Sequence, residues 1–157
     1  AWASRWLYYC PWPAICFSTE RNTYHLKKVR CWCNYYIPLF LFHPKFEKGA
    51  ARLKRRFSYF DDGLESFKRI CEYQFDPINP TLVVTPAKLH RIKSFENFTT
   101  WKIELSVRDI KSNQSPRVWF AVCGATIAFL CVATHIDNYD DNTMNREAEG
   151  LVGTFFN

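Results

Sequence analysis

The longest uncharged stretch of the chain is VWFAVCGATIAFLCVATHI, residues 118–136, which has no Lys, Arg, Asp or Glu. A helix of nineteen residues rises about 28 Å, which is close to the hydrocarbon thickness of a bilayer. Ser115 suits the N-cap of such a helix, and Pro116 suits its first turn. The sequence therefore predicts a single transmembrane α-helix over residues 117–137.

The charges on the two sides of this run differ in sign. Residues 1–117 carry 20 Lys or Arg and 10 Asp or Glu, whereas residues 118–157 carry one Arg and five acids. The positive-inside rule then places the N-terminal region on the cytoplasmic or matrix side of a membrane, with an organellar inner membrane as one setting. The acidic tail, residues 138–157, falls on the other side. Arg117, Trp119 and Tyr139 are predicted to lie at the two membrane interfaces.

Small residues recur at helical spacing within the run. Such residues let two helices approach closely, so they predict a face that packs against a neighbouring helix. His135, near the end of this face, is predicted to contact a partner or to lie at the interface. The predicted helix-packing residues are Ala121, Gly124, Ala125, Ala128, Cys131 and His135.

A second interpretation of the run stays open. It is rich in β-branched residues, and Gly124 can divide it into two buried strands. Residues 101–108, WKIELSVR, alternate strictly between apolar and polar side chains, which is typical of a half-buried strand. The alternative fold is thus a soluble α+β or mostly β domain in which residues 101–136 form hairpins. The length of the run and its lack of charge favour the transmembrane helix.

The rest of the chain divides by composition. Residues 1–49 are rich in aromatic side chains and are predicted to be an extended packing segment. Residues 50–116 are predicted to form a small α+β region with a helix over 61–75, a short strand over 81–84, and a second helix over 87–98. The main prediction of fold class is therefore a small α+β region joined to one transmembrane helix.

A short basic amphipathic stretch lies at the start of this region. Apolar residues of the segment 44–60 fall on one helical face, and Arg52, Lys54, Arg55 and Arg56 occupy the remainder. Clustered cations of this kind bind anionic lipid headgroups, nucleic-acid phosphate or an acidic protein. These four cations are the predicted binding residues for an anionic lipid or an acidic partner.

No set of residues in the sequence predicts catalysis. The chain has no phosphate-binding glycine loop, zinc-protease motif or nucleophile elbow, so we expect no enzyme, cofactor or metal site. The seven cysteines are an odd number, which excludes a fully paired disulfide framework. Free thiols are the leading interpretation. Partial disulfides or a zinc site among four of them, Cys10, Cys16, Cys31 and Cys33, are weaker ones.

These features lead to three hypotheses of function. The main one is a structural accessory subunit that anchors a larger membrane complex, such as a mitochondrial one, with other protein subunits and anionic lipids as partners. The second is an α+β or β binding module, which in a secreted setting would carry partial disulfides. The third is a basic nucleic-acid-binding component of a ribonucleoprotein, since cations alternate with aromatic residues along the chain.

Overall fold

A computed structural model describes residues 37–85, 88–137 and 139–156. The predictions for residues 1–36, including the cysteine pairings considered there, lie outside the described residues. The described chain forms five strands and three helices, together with short 3-10 turns at Ser112–Gln114 and His135–Asp137. In chain order the elements are β1 (Leu39–Phe42), α1 (Pro44–Arg56), α2 (Phe60–Gln74), β2 (Leu89–Ser94), β3 (Thr99–Glu104), β4 (Arg117–Cys123), β5 (Thr126–Ala133) and α3 (Asp141–Val152).

Residues 118–136 do not form a helix. They form β4 and β5, which are joined by a tight turn at Gly124 and Ala125. Gly124 has a φ of 54°, a left-handed conformation that glycine adopts without strain. Among the described residues, the structure has no helix that combines the length and the apolarity needed to cross a bilayer. The transmembrane helix predicted over residues 117–137 is therefore wrong, and the single-pass membrane localisation predicted from it loses its basis.

The five strands form one mixed sheet in the order β1-β5-β4-β3-β2. β1 runs parallel to β5, and the other neighbours are antiparallel. The connection from β1 to the rest of the sheet consists of α1 and α2, so the fold is a small α+β domain. The alternative interpretation, in which residues 101–136 form hairpins, is the one that agrees with this sheet.

Helices cover both faces of the sheet, and this explains the lack of charge in residues 118–136. All eight residues of β5 are buried. On one face, Phe129 lies beneath α1 and α2, with its ring 5.2 Å from that of Phe46 and 5.8 Å from that of Phe67. On the other face, α3 packs Ala148 and Val152 against residues of β4 and β5. A strand that is buried on both sides becomes a continuous apolar run.

A β-bulge in β5 determines which of its side chains face each of the two cores. Trp119 pairs with Cys131 and Phe120 pairs with Phe129, so Leu130 is an extra residue without a partner opposite it. Side chains before and after the bulge therefore reach the same core. Ile127, Phe129 and Val132 pack beneath α1 and α2, while Ala128, Leu130, Cys131 and Ala133 pack beneath α3.

The local predictions for residues 61–108 have mixed outcomes. The helix predicted over residues 61–75 is confirmed as α2, which buries Leu64, Phe67 and Cys71. The strand predicted over residues 101–108 is confirmed in part: Ile103 and the next two apolar residues on that face are buried, but β3 ends at Glu104.

The helix predicted over residues 87–98 is wrong, and so is the strand predicted over 81–84. Residues 89–94 form β2, which pairs with β3. Leu89 and Ile92 face opposite cores, because side chains of a strand alternate and residues three apart point to opposite faces. Their spacing of three residues therefore resembles that of a helix face although they lie in a strand.

Gly63 is fixed by a close approach between α2 and the chain after β3. A Cβ at this position would lie 2.8 Å from the carbonyl oxygen of Ser106 and 3.0 Å from Cγ2 of Val107. Backbone on one side and a core side chain on the other cannot both move away. Gly150 of α3 is in the opposite situation, because a Cβ there meets no described atom within 4 Å.

We predict opposite effects of alanine at these two helical glycines. Gly63→Ala should lower the free energy of unfolding by about 1–3 kcal/mol, because the added methyl group overpacks the core. Gly150→Ala should raise it by about 0.5–1 kcal/mol, because alanine has the higher helix propensity. Urea unfolding followed by circular dichroism measures both values, and equal shifts in the two variants would contradict the packing of α2 described above.

Candidate functional site

The first helix carries a strong excess of positive charge. Its start is set by His43, whose Nδ1 accepts a hydrogen bond of 3.1 Å from the amide of Lys45, and by Pro44 in the first turn. One side of α1 is buried through Phe46, Ala50 and Leu53. The rest carries six cations and one acid, Glu47, and all six cations are exposed: Lys45, Lys48, Arg52, Lys54, Arg55 and Arg56. We call these six cations the basic face.

The basic face is only partly neutralised by neighbouring acids. Lys45 pairs with Glu147, Arg52 with Asp137 at 3.2 Å, and Lys54 with Asp61 at 2.9 Å. All three pairs are open to solvent, and pairs of this kind contribute only about 0–1 kcal/mol each. Within the described part of the chain, the remaining three cations, Lys48, Arg55 and Arg56, have no acid within ion-pair distance.

Aromatic side chains lie just beyond the end of α1. The guanidinium of Arg56 lies 5.4 Å from the ring centroid of Phe57. The guanidinium of Arg108, on the loop after β3, lies 3.9 Å above the ring of Tyr59 and donates a hydrogen bond of 2.5 Å to its hydroxyl. We call this pair the Tyr59–Arg108 stack. Sequence reasoning missed Arg108 because it is 49 residues from its partner, and no local pattern marks it.

The four residues predicted to bind an acidic partner, Arg52, Lys54, Arg55 and Arg56, all lie on the basic face. The structure thus brings together the predicted cations and adds two more, Lys45 and Lys48, from the first half of the helix. Their partner remains a prediction.

The three residues predicted at the membrane interfaces meet beneath α3. Trp119 is fully buried, its Nε1 donates a hydrogen bond of 2.8 Å to Asn145, and its ring lies edge-on to Tyr139 at 5.5 Å. Arg117 donates to the carboxylate of Asp141 at 3.3 Å. In the structure these residues pack a helix onto the sheet.

A cluster of charges holds the start of α3. Asp141 accepts from Lys102 at 3.0 Å as well as from Arg117. The side chains of these two cations are only 15% and 21% exposed. The hydroxyl oxygen of Tyr139 is buried nearby and has no hydrogen-bond partner among the described residues. Burial raises the pKa of Tyr139, and the positive charge of Arg117 opposes this rise.

The six residues predicted to pack against a helix do not form one surface. Ala121 and Ala128 pair across β4 and β5 beneath α3, and Cys131 lies on the same face. Gly124 and Ala125 form the exposed hairpin turn. His135 lies in the second 3-10 turn, where its ring stacks on Tyr139 at 5.8 Å. Ala121, Ala128 and Cys131 thus pack against a helix, α3, but they do so as residues of the sheet.

The described cysteines show no reactive or metal-binding arrangement. Cys71 and Cys131 are buried, and burial raises the pKa of both thiols, that of Cys131 to about 12. Cys123, near the hairpin turn, is half-buried. No three His, Cys, Asp or Glu side chains of the described part come close enough together to hold a metal ion.

A groove between α1 and α2 was the other candidate site. Its volume is about 560 Å³, and Phe42, Phe46 and Leu64 are among its apolar lining residues. The lysines on its rim, Lys54 and Lys68, pair with acids of α2. With Glu47, which also lines the groove, its acids outnumber its lysines by one, and this small excess does not select a particular charged ligand.

Comparisons of the chain with protein-family models, curated proteins and solved structures find no match. The candidate function therefore depends on the geometry of this chain alone. The basic face is the feature with the clearest chemical preference, because three of its cations have no acid partner in the part of the chain that the structure describes.

Removing the carboxylate that holds α3 should destabilise the fold. We predict that Asp141→Asn lowers the free energy of unfolding by about 1–3 kcal/mol, because Lys102 and Arg117 then stay largely buried without a counter-charge. Urea unfolding measures the change. Glu96→Gln is the control, since Glu96 is exposed in a turn, and its effect should stay within about 0.5 kcal/mol. Equal midpoints for both variants would rule out the proposed role of Asp141.

The cysteines should differ in reactivity. We predict that iodoacetamide labels Cys123 in the native protein, whereas Cys71 and Cys131 are labelled only after unfolding, because burial keeps their thiols protonated. Peptide mapping by mass spectrometry, with and without urea, gives the extent of labelling at each position. Rapid native labelling of Cys131 would contradict its burial beneath α3.

Proposed function

We propose that this chain is an α+β binding module that uses the basic face of α1 to bind the phosphate backbone of a nucleic acid. The observation that carries the proposal is the charge of this helix, with six cations and one acid within thirteen residues. This proposal develops the nucleic-acid hypothesis of the sequence analysis. The hypothesis of a membrane accessory subunit depended on the transmembrane helix and is not taken further.

The arrangement of these charges suits a linear polyanion. Lys48 and Arg52 are four residues apart, and Arg55 and Arg56 follow three and four residues later. Residues at such spacings lie about 5–6 Å apart along one side of a helix. A helix of this length spans about 20 Å, so several successive phosphates can be contacted at once. Each contact releases condensed counterions, which favours binding at low salt.

The surroundings of α1 favour a nucleic acid over an acidic protein. The end of the helix places Arg56 beside Phe57 and lies next to the Tyr59–Arg108 stack. Cations interleaved with aromatic rings are typical of nucleic-acid surfaces, because the rings and the guanidinium planes can contact bases. The net charge of the whole chain is +6, which favours attraction to a polyanion at long range.

The test removes the three cations that have no ion pair. We expect the variant Lys48→Gln, Arg55→Gln, Arg56→Gln to bind labelled duplex DNA more weakly than the wild type. The slope of log K against log salt concentration should fall by about 2–3, since each lost phosphate contact removes about 0.9. Fluorescence anisotropy at four or more potassium chloride concentrations measures both quantities.

A charge-matched variant controls for net charge. Arg69, Lys88 and Arg91 are exposed and lie outside α1. Replacing all three with Gln gives the same net charge as the first variant, and we expect it to keep most of the slope and affinity. Equal losses in both variants would show that net charge alone drives binding. The proposal also fails if the wild type shows no salt-dependent binding, or if polyglutamate competes as well as nucleic acid at equal charge.

A further inference from the structure

We infer that the nucleic acid is single-stranded and that one of its bases stacks on the guanidinium plane of Arg108. This inference rests on the proposed function and specifies the ligand of the same surface. It is carried by the Tyr59–Arg108 stack, which lies directly after the basic face.

The guanidinium of Arg108 is held in place although it is exposed. One side lies over the ring of Tyr59, a terminal nitrogen donates to the Tyr59 hydroxyl, and Nε pairs with Asp109 at 3.5 Å. The side chain of Arg108 is nevertheless 69% exposed. These contacts restrict its conformation before binding, which lowers the entropic cost of placing another group on it.

The chemistry of the free side of this plane indicates the ligand. Planar guanidinium groups stack on nucleic-acid bases. The side of the Arg108 guanidinium that faces away from Tyr59 can accept a base, since this side chain is largely exposed. The bases of a duplex are already stacked on each other and offer no free face. A single strand can place phosphates along Lys48, Arg55 and Arg56 and turn a base onto Arg108.

The chain turns directly after Arg108. Asp109 has a φ of 63°, a left-handed conformation that aspartate adopts more readily than most residues other than glycine. The loop is anchored by the buried side chains of Leu105 and Val107. A purely structural role, in which Tyr59 and Arg108 only pin this loop, would affect stability and would leave base recognition unchanged.

The experiment separates stacking from charge. Arg108→Lys keeps the positive charge and removes the planar group. Three labelled RNA probes of equal length are used: a single strand, the same strand with abasic sites, and a duplex. We expect the wild type to bind the single strand about tenfold more tightly than the abasic strand. The variant should lose most of this difference and bind the abasic strand and the duplex as the wild type does.

Arg69→Lys on α2 is the matched control and should behave as the wild type with all three probes. If Arg108→Lys keeps the wild-type ratio between single and abasic strands, stacking on Arg108 is refuted while the proposed function stands. The same holds if the wild type itself does not distinguish the two strands. If no probe binds in a salt-dependent way, both the proposed function and this inference fail. Thermal unfolding of each variant confirms that the comparison is made between folded proteins.

Discussion

Burial of β5 on both faces is the constraint on which the rest of the fold depends. Every residue of this strand is buried, and β1 and β4 flank it in the sheet. Phe129 fills the space beneath α1 and α2, and the bulge at Leu130 supplies extra apolar surface beneath α3. Without the bulge, the residues after it would change faces, because side chains in a strand alternate. Val132 would then turn away from α1, where it lies beneath Gly49.

Ion pairs of the C-terminal acids act on the other face of the sheet, where α3 lies. The net charge is positive over residues 1–117 and negative over residues 118–157, so a membrane between the two parts was a reasonable explanation. In the structure the acids pair with the cations of the earlier region: Asp137 with Arg52, Asp141 with Lys102 and Arg117, Glu147 with Lys45, and Glu149 with Lys93. The uneven distribution of charge along the chain therefore corresponds to ion pairs between segments of one domain. α3 buries few apolar side chains, and these pairs help to hold it on the sheet.

The parts of the structure that could be predicted are those with a local pattern. α2 and β3 follow from the periodicity of Leu64, Phe67 and Cys71 and from the alternation around Ile103, and the charges of α1 are visible in the sequence itself. The run 118–136 has no periodicity that distinguishes a strand from a helix. A strand covered on both faces and a membrane helix both give an uncharged apolar run. Leu89 and Ile92 have helical spacing because β2 contributes one apolar side chain to each of the two cores. Arg108 could not be found, because its contact with Tyr59 depends on the packing of two distant loops.

Some cations of the proposed binding surface also form ion pairs within the fold. Asp137 and Glu147 neutralise Arg52 and Lys45, so the docking of the C-terminal region removes charge from part of the basic face. Two of the three cations that have no acid partner among the described residues, Arg55 and Arg56, lie at the end of the helix that adjoins the Tyr59–Arg108 stack. The exposed pairs are weak enough for a polyanion to displace the acids, whereas the pairs of Asp141 involve largely buried cations and resist displacement. Binding can thus recruit Lys45 and Arg52 without releasing α3 from the sheet.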